Sequence, residues 1–304
     1  MSSARIVVVG SINTDLSVLC ERHPEAGETL SGTSVNYNPG GKGANQAAAA
    51  ALLGADVAFV GAVGDDLNRG VALSLMEEAG VATDAIEEVD APTGLAIVQV
   101  DAEGENRIIV ISGANSHVDG DFVRKHADVI SHADVVIAQG EIPVSGIEAV
   151  AELTTGRFVF NLAPVVEVSE EALKKANPLI VNETEAELLL ERVAPGSEVE
   201  IYDDIASALY GWGLTSLAMT LGAIGSVIID ENGEKTKVSS AKVVAVDTTG
   251  AGDAFVGALA KELAEGKSLH EAALLASRVG AYSTTKYGAQ SSYPREGESL
   301  PELR

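Results

Sequence analysis

The sequence predicts an α/β fold with a mainly parallel central sheet and a second, small β-sheet. Short apolar, β-branched stretches at residues 6–9, 57–63 and 135–139 alternate with helical periodicity, as do the strands and crossover helices of parallel sheets. Two neighbouring apolar stretches, 95–100 and 108–111, break this alternation and indicate the second sheet. Because 46% of the 304 residues are hydrophobic, a single large domain spanning the whole chain can bury a substantial core.

The first predicted strand, residues 6–9, ends in the segment GSINTD at residues 10–15. Residues two apart on an extended chain face the same side, so Asn13 and Asp15 can point together into a cleft. An amide and a carboxylate placed in this way suit the vicinal hydroxyls of a sugar. The alternative is a polar turn, for which Asn and Asp are ordinary residues.

A glycine-rich segment, NPGGKGAN at residues 38–45, then leads into an alanine-rich helix that continues through residue 53. Its closely spaced glycines indicate that the backbone approaches another group. Lys42 and Asn45 are the polar side chains at the helix entrance. The spacing is not that of a Walker A loop. We interpret the segment as a ligand contact.

The stretches 95–100 and 108–111 flank AEGE at residues 102–105, which is a hairpin signal. Nearly every residue of both stretches is apolar, which does not fit a sheet with one wet face. We expect lid strands from about 16–38 and 93–113, with one face of the lid over a ligand and the other against a second subunit. The alternative is ordinary burial in the main core.

Further strands predicted at 159–162, 179–181 and 216–221 also end in polar or glycine residues. Ligands of parallel sheets bind at the carboxyl ends of the strands. Glu141, which follows the strand at 135–139, is therefore expected beside Asn13 and Asp15.

Asn182 and Glu185, three residues apart at a helix start, would lie on one face and suit the water shell of a divalent cation. Helix capping is the rival role for Glu185. Residues 222–225, GAIG, form a tight turn that a nucleotide phosphate could approach.

The segment DTTGAGD at residues 247–253 is predicted to connect a strand at 243–246 to a helix at 254–265. Its glycines leave the amides at the helix start uncovered, and these amides favour an anion. A carboxylate beside a phosphate is useful if it accepts a proton from a hydroxyl, so Asp253 is a candidate general base. Capping of the helix is the alternative for Asp253.

The net charge is −25, which argues against nucleic acids and anionic membranes as partners. Cys20 is the single cysteine, so a reducing, cytoplasmic setting is expected. No Gly-x-Gly-x-x-Gly follows the first strand, there is no Gly-x-Ser-x-Gly, and the five histidines are dispersed. A dehydrogenase, a serine hydrolase and a zinc enzyme are therefore disfavoured.

Four segments occur in an order and spacing that resemble the ribokinase branch of the phosphofructokinase-B type sugar and nucleoside kinases. They are GSINTD, GGKGAN at 40–45, NETE at 182–185 and DTTGAGD, and the resemblance runs from about residue 6 to residue 292. It implies a three-layer α/β sandwich of the ribokinase type with a small β-sheet lid. It also implies transfer of the γ-phosphoryl group of ATP to O5 of a pentose, which is D-ribose in this branch.

The resemblance implies that Asp253 is the catalytic base, with Gly250, Ala251 and Gly252 as the anion hole. The positions implied to hold the sugar are Asn13, Asp15, Gly41, Lys42, Gly43, Asn45, Glu141 and Asp253. The positions implied to bind the nucleotide are Asn182, Thr220, Gly222, Gly225, Gly252 and Ser277.

The resemblance also implies two cations and a homodimer formed through the lid sheet. Glu185 would organise the water shell of the Mg²⁺ that accompanies ATP. A K⁺ activator would lie near Asp247, Thr249, Ser283, Lys286, Gly288 and Ser292. Most ligands of that K⁺ would be backbone carbonyls, so the identity of the side chains is only a weak test of the site.

Two alternatives stay open for the function. Kinases of nucleosides, ribose phosphates and other sugars share the GAGD element, although the lid segments 104–106 and 112–115 favour ribose. A binding protein without catalysis would keep the same fold, and the intact Asp253 argues against it.

The acidic residues are scattered along the chain, which is consistent with adaptation to a saline cytosol. We expect a higher melting temperature in molar KCl than in dilute buffer at the same pH, because the Debye length falls to about 3 Å at 1 M salt. Equal melting temperatures in thermal scans under the two conditions would contradict this adaptation.

Overall fold

The structure is a computed structural model that describes residues 5–103, 105–197, 199 and 201–304. Strands and α-helices are numbered separately along the chain. The strands are β1 (Arg5–Val9), β2 (Asn13–Leu19), β3 (Ser34–Gly40), β4 (Asp56–Gly64), β5 (Ala82–Val89), β6 (Gly94–Val100), β7 (Asn106–Ile111), β8 (Val135–Gln139), β9 (Arg157–Asn161), β10 (Leu179–Asn182), β11 (Leu217–Thr220), β12 (Gly225–Ile229) and β13 (Lys235–Ser239). The helices are α1 (Lys42–Leu52), α2 (Leu67–Glu78), α3 (Gly120–Lys125), α4 (Ala127–Ser131), α5 (Val144–Leu153), α6 (Glu170–Lys175), α7 (Glu183–Val193), α8 (Tyr202–Gly211), α9 (Ala251–Ala264) and α10 (Leu269–Ser283).

In the described part of the chain, nine strands form the central sheet, in the order β13-β12-β11-β10-β9-β8-β1-β4-β5. All neighbours from β11 to β5 run parallel, and β12 and β13 are added antiparallel at one edge. The other four strands form a separate sheet, in the order β3-β2-β6-β7. The prediction of a mainly parallel central sheet with a smaller second sheet is confirmed.

Both faces of the central sheet are covered by helices, because its inner strands are apolar on both sides. On β1, Val7 and Val9 pack into a cluster with residues of α3 to α8. Ile6 and Val8 pack into a second cluster with residues of α1, α2, α9 and α10. The strand alternation of side chains thus divides the core between the two faces and produces three layers.

Helices α1 and α9 pack closely because the residues between them are small. A Cβ added to Gly257 on α9 would lie 2.6 Å from the backbone oxygen of Gln46 and 2.7 Å from the Cβ of Ala49 on α1. Asp253 lies one turn before Gly257 on the same face of α9. The close approach therefore brings Asp253 against the start of α1.

The small sheet does not lie in the main core. Ile108, Ile109, Val110 and Ile111 on its edge strand β7 are all exposed, and Ile111, the least exposed of them, is still 42% exposed. Burial of this hairpin in the main core, the alternative considered from the sequence, is therefore wrong. Gly104, at the predicted turn, lies outside the described residues.

The prediction of a strand at residues 243–246 is wrong. These residues are not paired in the sheet, and the nearest ladder contact is an isolated bridge between Ala241 and Leu303. Val244 is 86% exposed, so an apolar, β-branched composition here does not reflect burial in the sheet. The following helix begins at Ala251, three residues before the predicted start.

Strand β5 was not predicted, because its sequence ATDAIEEV is half polar. It pairs with β4 only, at the edge of the sheet. Edge strands tolerate such polar residues, so an edge strand need not appear as an apolar run in the sequence. No helix in the described ranges has the length and apolar character needed to cross a membrane.

We expect Gly257→Ala to destabilise the fold. An extra methyl group in a packed interface costs roughly 1–3 kcal/mol, which exceeds the roughly 0.5–1 kcal/mol that Ala gains over Gly in a helix. Gly70→Ala is the matched control, because Gly70 is an exposed residue of α2 whose added Cβ would meet nothing within 4 Å. Urea unfolding should show a loss of stability for the first variant and a gain for the second, and the packing argument fails if both are stabilised.

Candidate active site

The ends of β1 and β8 are tied to the start of α1 by hydrogen bonds. The Ser11 hydroxyl donates to Glu141 Oε2 at 2.6 Å, and the Lys42 backbone N–H donates to the same oxygen at 3.1 Å. The Gly43 N–H donates to Ser11 Oγ at 3.2 Å. This arrangement brings Glu141, Lys42 and Gly43 to one edge of the sheet.

The first residues of β2 extend this edge. Asn13 Oδ1 accepts a hydrogen bond of 2.8 Å from Asn115 Nδ2, and Asn115 Oδ1 accepts one of 2.9 Å from the Ile12 N–H. The Asn13 amide is therefore oriented with its oxygen toward Asn115, so its Nδ2 group is the donor it can offer to a ligand.

Asp15 packs against β3, which has a glycine at this point. A Cβ added to Gly40 would lie only 2.2 Å from Asp15 Oδ1. Gly41 adopts φ 88° and lies against the backbone of Ser11 and Asn13, where an added Cβ would be 2.8 Å from both the Ser11 oxygen and the Asn13 nitrogen. These glycines allow α1 and the small sheet to meet.

Asp15 is a buried carboxyl group among other carboxylates. Burial, with smaller contributions from the nearby Glu141 and Asp253, raises the pKa of Asp15 to about 7. Lys42 is the cation in this cluster: Asp253 raises the pKa of Lys42, burial opposes that shift, and Glu141 and Glu185 add to it.

The start of α9 adjoins this cluster. Gly250 is the residue before the helix, with φ 73°, and its backbone oxygen accepts a hydrogen bond of 3.0 Å from the Tyr293 hydroxyl. The Ala251 N–H donates to the Thr248 oxygen at 3.2 Å, so this amide already takes part in the turn. An added Cβ at Gly252 would meet nothing within 4 Å, which leaves the backbone there open to a ligand.

The N-cap of α9 is Gly250, and Asp253 lies inside the first turn of the helix. Its Oδ2 accepts from Asn45 Nδ2, and its Oδ1 accepts from Gln46 Nε2, both at 2.9 Å. The side chain is 7% exposed, so the carboxylate is held at the base of the cleft. The capping alternative for Asp253 is therefore wrong.

A small cavity of about 120 Å³ opens in front of Asp253. It is lined by Lys42, Glu185, Gly250 and Gly252 as well as by Asp253. A cation, carboxylates and a helix N-terminus thus surround one space, and this combination suits a phosphate with its counter-ion.

A second cavity, of about 390 Å³, lies next to the first. All six residues that the resemblance assigned to the nucleotide line it, namely Asn182, Thr220, Gly222, Gly225, Gly252 and Ser277. Ser277 Oγ is buried and has no hydrogen-bond partner among the described residues.

Asn182 and Glu185 form a capping box at the start of α7. Asn182 Oδ1 accepts from the Glu185 N–H, and Glu185 Oε2 accepts from the Asn182 N–H, both at 2.8 Å. Both residues also line the small cavity, so capping and ligand contact are compatible roles. Burial raises the pKa of Glu185, with hydrogen bonding from Asn182 in opposition.

The residues suggested for K⁺ lie in the loop before α9, at the end of α10 and in the segment that follows α10. Asp247 Oδ1 accepts from the Thr249 N–H at 2.9 Å, and its Oδ2 accepts from the Gly288 N–H at 2.8 Å. The hydroxyls of Ser283 and Ser292 donate to backbone oxygens in their own turns, and Lys286 Nζ donates to the Tyr282 hydroxyl. In the described part of the chain, no group of three or more His, Cys, Asp or Glu side chains is arranged to hold a metal ion.

Several polar residues near Asp253 were not predicted from the sequence. They are Ser11, Gln46, Asn115, Gln139, Asn161, Gln290 and Tyr293. A signal existed for Gln46 and Gln139, since one follows Asn45 in the glycine-rich segment and the other ends a buried strand. Gln290 and Tyr293 carry no such signal, because only the tertiary fold brings them to α9.

Comparison with known proteins gives a consistent picture. The pfkB family of carbohydrate kinases matches residues 3–296. A ribokinase of Haemophilus influenzae is 38% identical over 307 residues, which cover 98% of each chain.

Solved structures agree with this similarity. A ribokinase structure from Thermotoga maritima matches with a TM-score of 0.89 and 34% identity, covering 96% of each chain. A structure of Arabidopsis thaliana ribokinase complexed with ribose and ATP matches with a TM-score of 0.88 and 31% identity, covering 97% of this chain and 96% of that one.

We expect the raised pKa of Asp15 to make stability depend on pH. The folded protein keeps the Asp15 proton up to about pH 7, whereas an ordinary Asp loses it near 3.8, so the unfavourable effect of Asp15 grows as pH rises between these values. Relative to wild type, Asp15→Asn should gain roughly 2–3 kcal/mol in unfolding free energy between pH 5 and pH 8.

Urea unfolding at several pH values checks this expectation. Asp66→Asn is the control: burial opposes the shift, but hydrogen bonds from Thr93, Arg69 and Asn68 hold the pKa of Asp66 below its usual value, so its difference from wild type should stay constant between pH 5 and pH 8. A difference between Asp15→Asn and wild type that does not change with pH would show that the Asp15 carboxyl titrates normally.

Proposed function

The chain belongs to the pfkB family of carbohydrate kinases, and we propose that it is a ribokinase, which transfers the γ-phosphoryl group of ATP to O5 of D-ribose. The observation that carries the proposal is the position of Asp253. Its carboxylate does not cap α9 but faces a cavity that it shares with the helix N-terminus and Lys42. A proton acceptor and a phosphate cradle thus adjoin one space, as phosphoryl transfer to a hydroxyl requires.

The sugar is held between the small sheet and the start of α1. Asn13 donates through Nδ2, while Asp15 and Glu141 accept from vicinal hydroxyls. Gly41 and Gly43 let the backbone approach the sugar, and the remaining contacts come from Lys42, Asn45 and Asp253. The hydrogen bond from Asn115 supports this assignment, because it fixes the direction of the Asn13 amide.

Asp253 accepts the proton of the O5 hydroxyl as the phosphoryl group arrives. Each carboxylate oxygen has two acceptor positions, so hydrogen bonds from Asn45 and Gln46 leave one position on each oxygen for the substrate. The amides of Gly250 and Gly252 stabilise the charge on the transferring group, and Lys42 adds a positive charge. Ala251 contributes if its amide turns from the Thr248 oxygen to the ligand.

The nucleotide occupies the larger cavity, with the adenine near Ser277 and the phosphates near residues 220–225. The tight turn there supports this orientation, because Gly222 and Gly225 have φ of 50° and 127° and carry no side chain toward the cavity. The free hydroxyl of Ser277 can bond a polar atom of the base.

The residues present fit a Mg²⁺ ion that arrives with ATP. Glu185 and Asp253 line the small cavity, and carboxylate oxygens are suitable partners for the water shell of Mg²⁺. Burial raises the pKa of Glu185, which a nearby cation would counteract. When bound, Mg²⁺ neutralises phosphate charge.

The proposal includes a K⁺ activator near Asp247, Thr249, Ser283, Lys286, Gly288 and Ser292. Contact between the loop before α9 and the segment that follows α10 supports it, since the Val246 and Asp247 N–H groups both donate to the Thr284 oxygen. The Asp247 carboxylate is already engaged by backbone amides, so carbonyl oxygens would supply the K⁺ ligands.

The small sheet acts as a lid and as a dimer interface. Lid closure would exclude water and limit hydrolysis of ATP. The exposed apolar residues 108–111 and the unpaired edge of β7 support pairing with a second copy, because such an edge is otherwise a site of aggregation.

We also place the enzyme in the cytoplasm. Cys20 is a free thiol, which suits a reducing compartment. The net charge of −25 disfavours nucleic acids and anionic membranes as partners.

Asp253→Asn should lower kcat roughly 10²- to 10⁴-fold, because a general base contributes about this factor. The KM for ribose should change little, since the substitution leaves the other sugar-binding side chains in place. Coupled ADP-release assays with ribose, deoxyribose, fructose, ribose 1-phosphate and nucleosides measure both the loss and the acceptor preference of the wild type.

Asp119→Asn is the control for this substitution. Asp119 caps α3 and lines neither cavity, and Asn is an equally good cap, so activity should be retained. Turnover near the wild-type value in Asp253→Asn would refute the role of Asp253, and a preference of the wild type for another acceptor would refute the ribokinase assignment.

A further inference from the structure

The two oxygens of the Asp253 carboxylate accept hydrogen bonds from different side-chain amides. Gln46 serves Oδ1 and Asn45 serves Oδ2. Each of these amides is in turn bound by another amide further from the cleft. Asp253 thus lies where two short chains of amides converge.

The first chain begins at the end of β8. Gln139 Nε2 donates to Gln46 Oε1 at 2.8 Å, and Gln46 Nε2 donates to Asp253 Oδ1 at 2.9 Å. Gln46 Nε2 also donates to Asn161 Oδ1 at 3.0 Å, which holds the amide in place from the end of β9. Gln46 and Gln139 are both fully buried.

The second chain begins in the loop after α10. Gln290 Nε2 donates to Asn45 Oδ1 at 3.0 Å, and Asn45 Nδ2 donates to Asp253 Oδ2 at 2.9 Å. Gln290 and Asn45 are also buried. The two chains approach the carboxylate from different elements, since one includes a central strand and the other a peripheral loop.

Every hydrogen bond in both chains points toward Asp253. The outer oxygens, Gln139 Oε1 and Gln290 Oε1, are buried and have no hydrogen-bond partner among the described residues. Burying an amide oxygen without a hydrogen-bond partner is unfavourable. Another interaction must therefore stabilise the orientation of the amides in the two chains. An ionised carboxylate provides that stabilisation, because it only accepts hydrogen bonds and strengthens each bond along the chain.

We propose that Gln46, Gln139 and Gln290 are positioning residues that hold the Asp253 carboxylate aimed at the acceptor hydroxyl. The inference rests on the proposed function, since it concerns how the base of that reaction is prepared. None of the three needs to touch the substrate. Gln139 and Gln290 act on Asp253 only through a second amide.

Other charged and titratable groups also face the Asp253 carboxylate, and they stay constant in the test below. They are Asp15, Lys42, Glu185 and Tyr293. Glu141 interacts electrostatically with Asp15 and with Lys42.

The test replaces each amide with Met, which has a similar length but no hydrogen-bonding amide. Gln46→Met should lower kcat about 10- to 100-fold, as expected for a lost hydrogen bond to a charged group. Gln139→Met and Gln290→Met should have smaller effects in the same direction. In all three, KM for ribose and ATP should stay the same, because none of these amides needs to touch a substrate.

Double variants separate the two chains. Adding Gln139→Met to Gln46→Met should not lower kcat further, since Gln139 acts on Asp253 through Gln46. Adding Gln139→Met to Gln290→Met should multiply their effects, because these residues belong to different chains. Thr154→Val controls for lost stability alone: its buried hydroxyl donates to the Val150 oxygen on α5, away from the cleft.

The inference is overturned if the Met variants melt at lower temperature but keep the wild-type kcat per folded protein. In that outcome the amides only stabilise the fold, as in Thr154→Val. If Gln46→Met does not fold, the two outer variants give the decision by the same criteria. A wild type without ribokinase activity would refute the proposed function instead.

Discussion

The contact between α1 and α9 is the constraint on which the site depends. Gly257 and the alanines of α1 bring the two helices together, and one turn earlier Asp253 meets Asn45 and Gln46. Larger side chains here would separate the helices and remove the donors that hold the carboxylate. A packing requirement in the hydrophobic core thus sets the geometry of the chemical centre.

This contact also concentrates negative charge. Glu141, Glu185 and Asp253 lie within electrostatic reach of Lys42, and Asp15 lies within reach of Glu141 and Asp253, in a chain whose net charge is −25. Burial raises the pKa of both Asp15 and Glu185, and nearby carboxylates, Asp253 among them, add to each shift. Hydroxyl groups that donate hydrogen bonds, and cations that accompany the nucleotide, would relieve the repulsion.

Much of the fold could be predicted from the sequence, because its central strands are short apolar runs followed by glycine or polar residues. The same rule failed at residues 243–246, which are apolar and β-branched but exposed beside the larger cavity. Apolar composition there fits a ligand wall, and periodicity cannot distinguish that from a buried strand. β5 was missed for the converse reason, since an edge strand can be half polar.

The candidate site was predicted only where a motif contains its residues. Asn45 and Asp253 lie in such motifs and meet in the structure. Gln290 and Tyr293 lie outside the motifs, and they reach α9 through a loop whose path the local sequence does not specify. Long-range hydrogen bonds between side chains leave no periodic pattern, so residues of this kind require coordinates.

The central claim is that Asp253 takes the proton from the acceptor hydroxyl. A crystal structure with ribose and a non-hydrolysable ATP analogue tests it most directly. The account predicts that O5 lies within hydrogen-bond reach of an Asp253 carboxylate oxygen, at about 2.6–3.2 Å, and faces the terminal phosphate. A ribose bound with O5 turned away from Asp253, or a terminal phosphate remote from the start of α9, would contradict it.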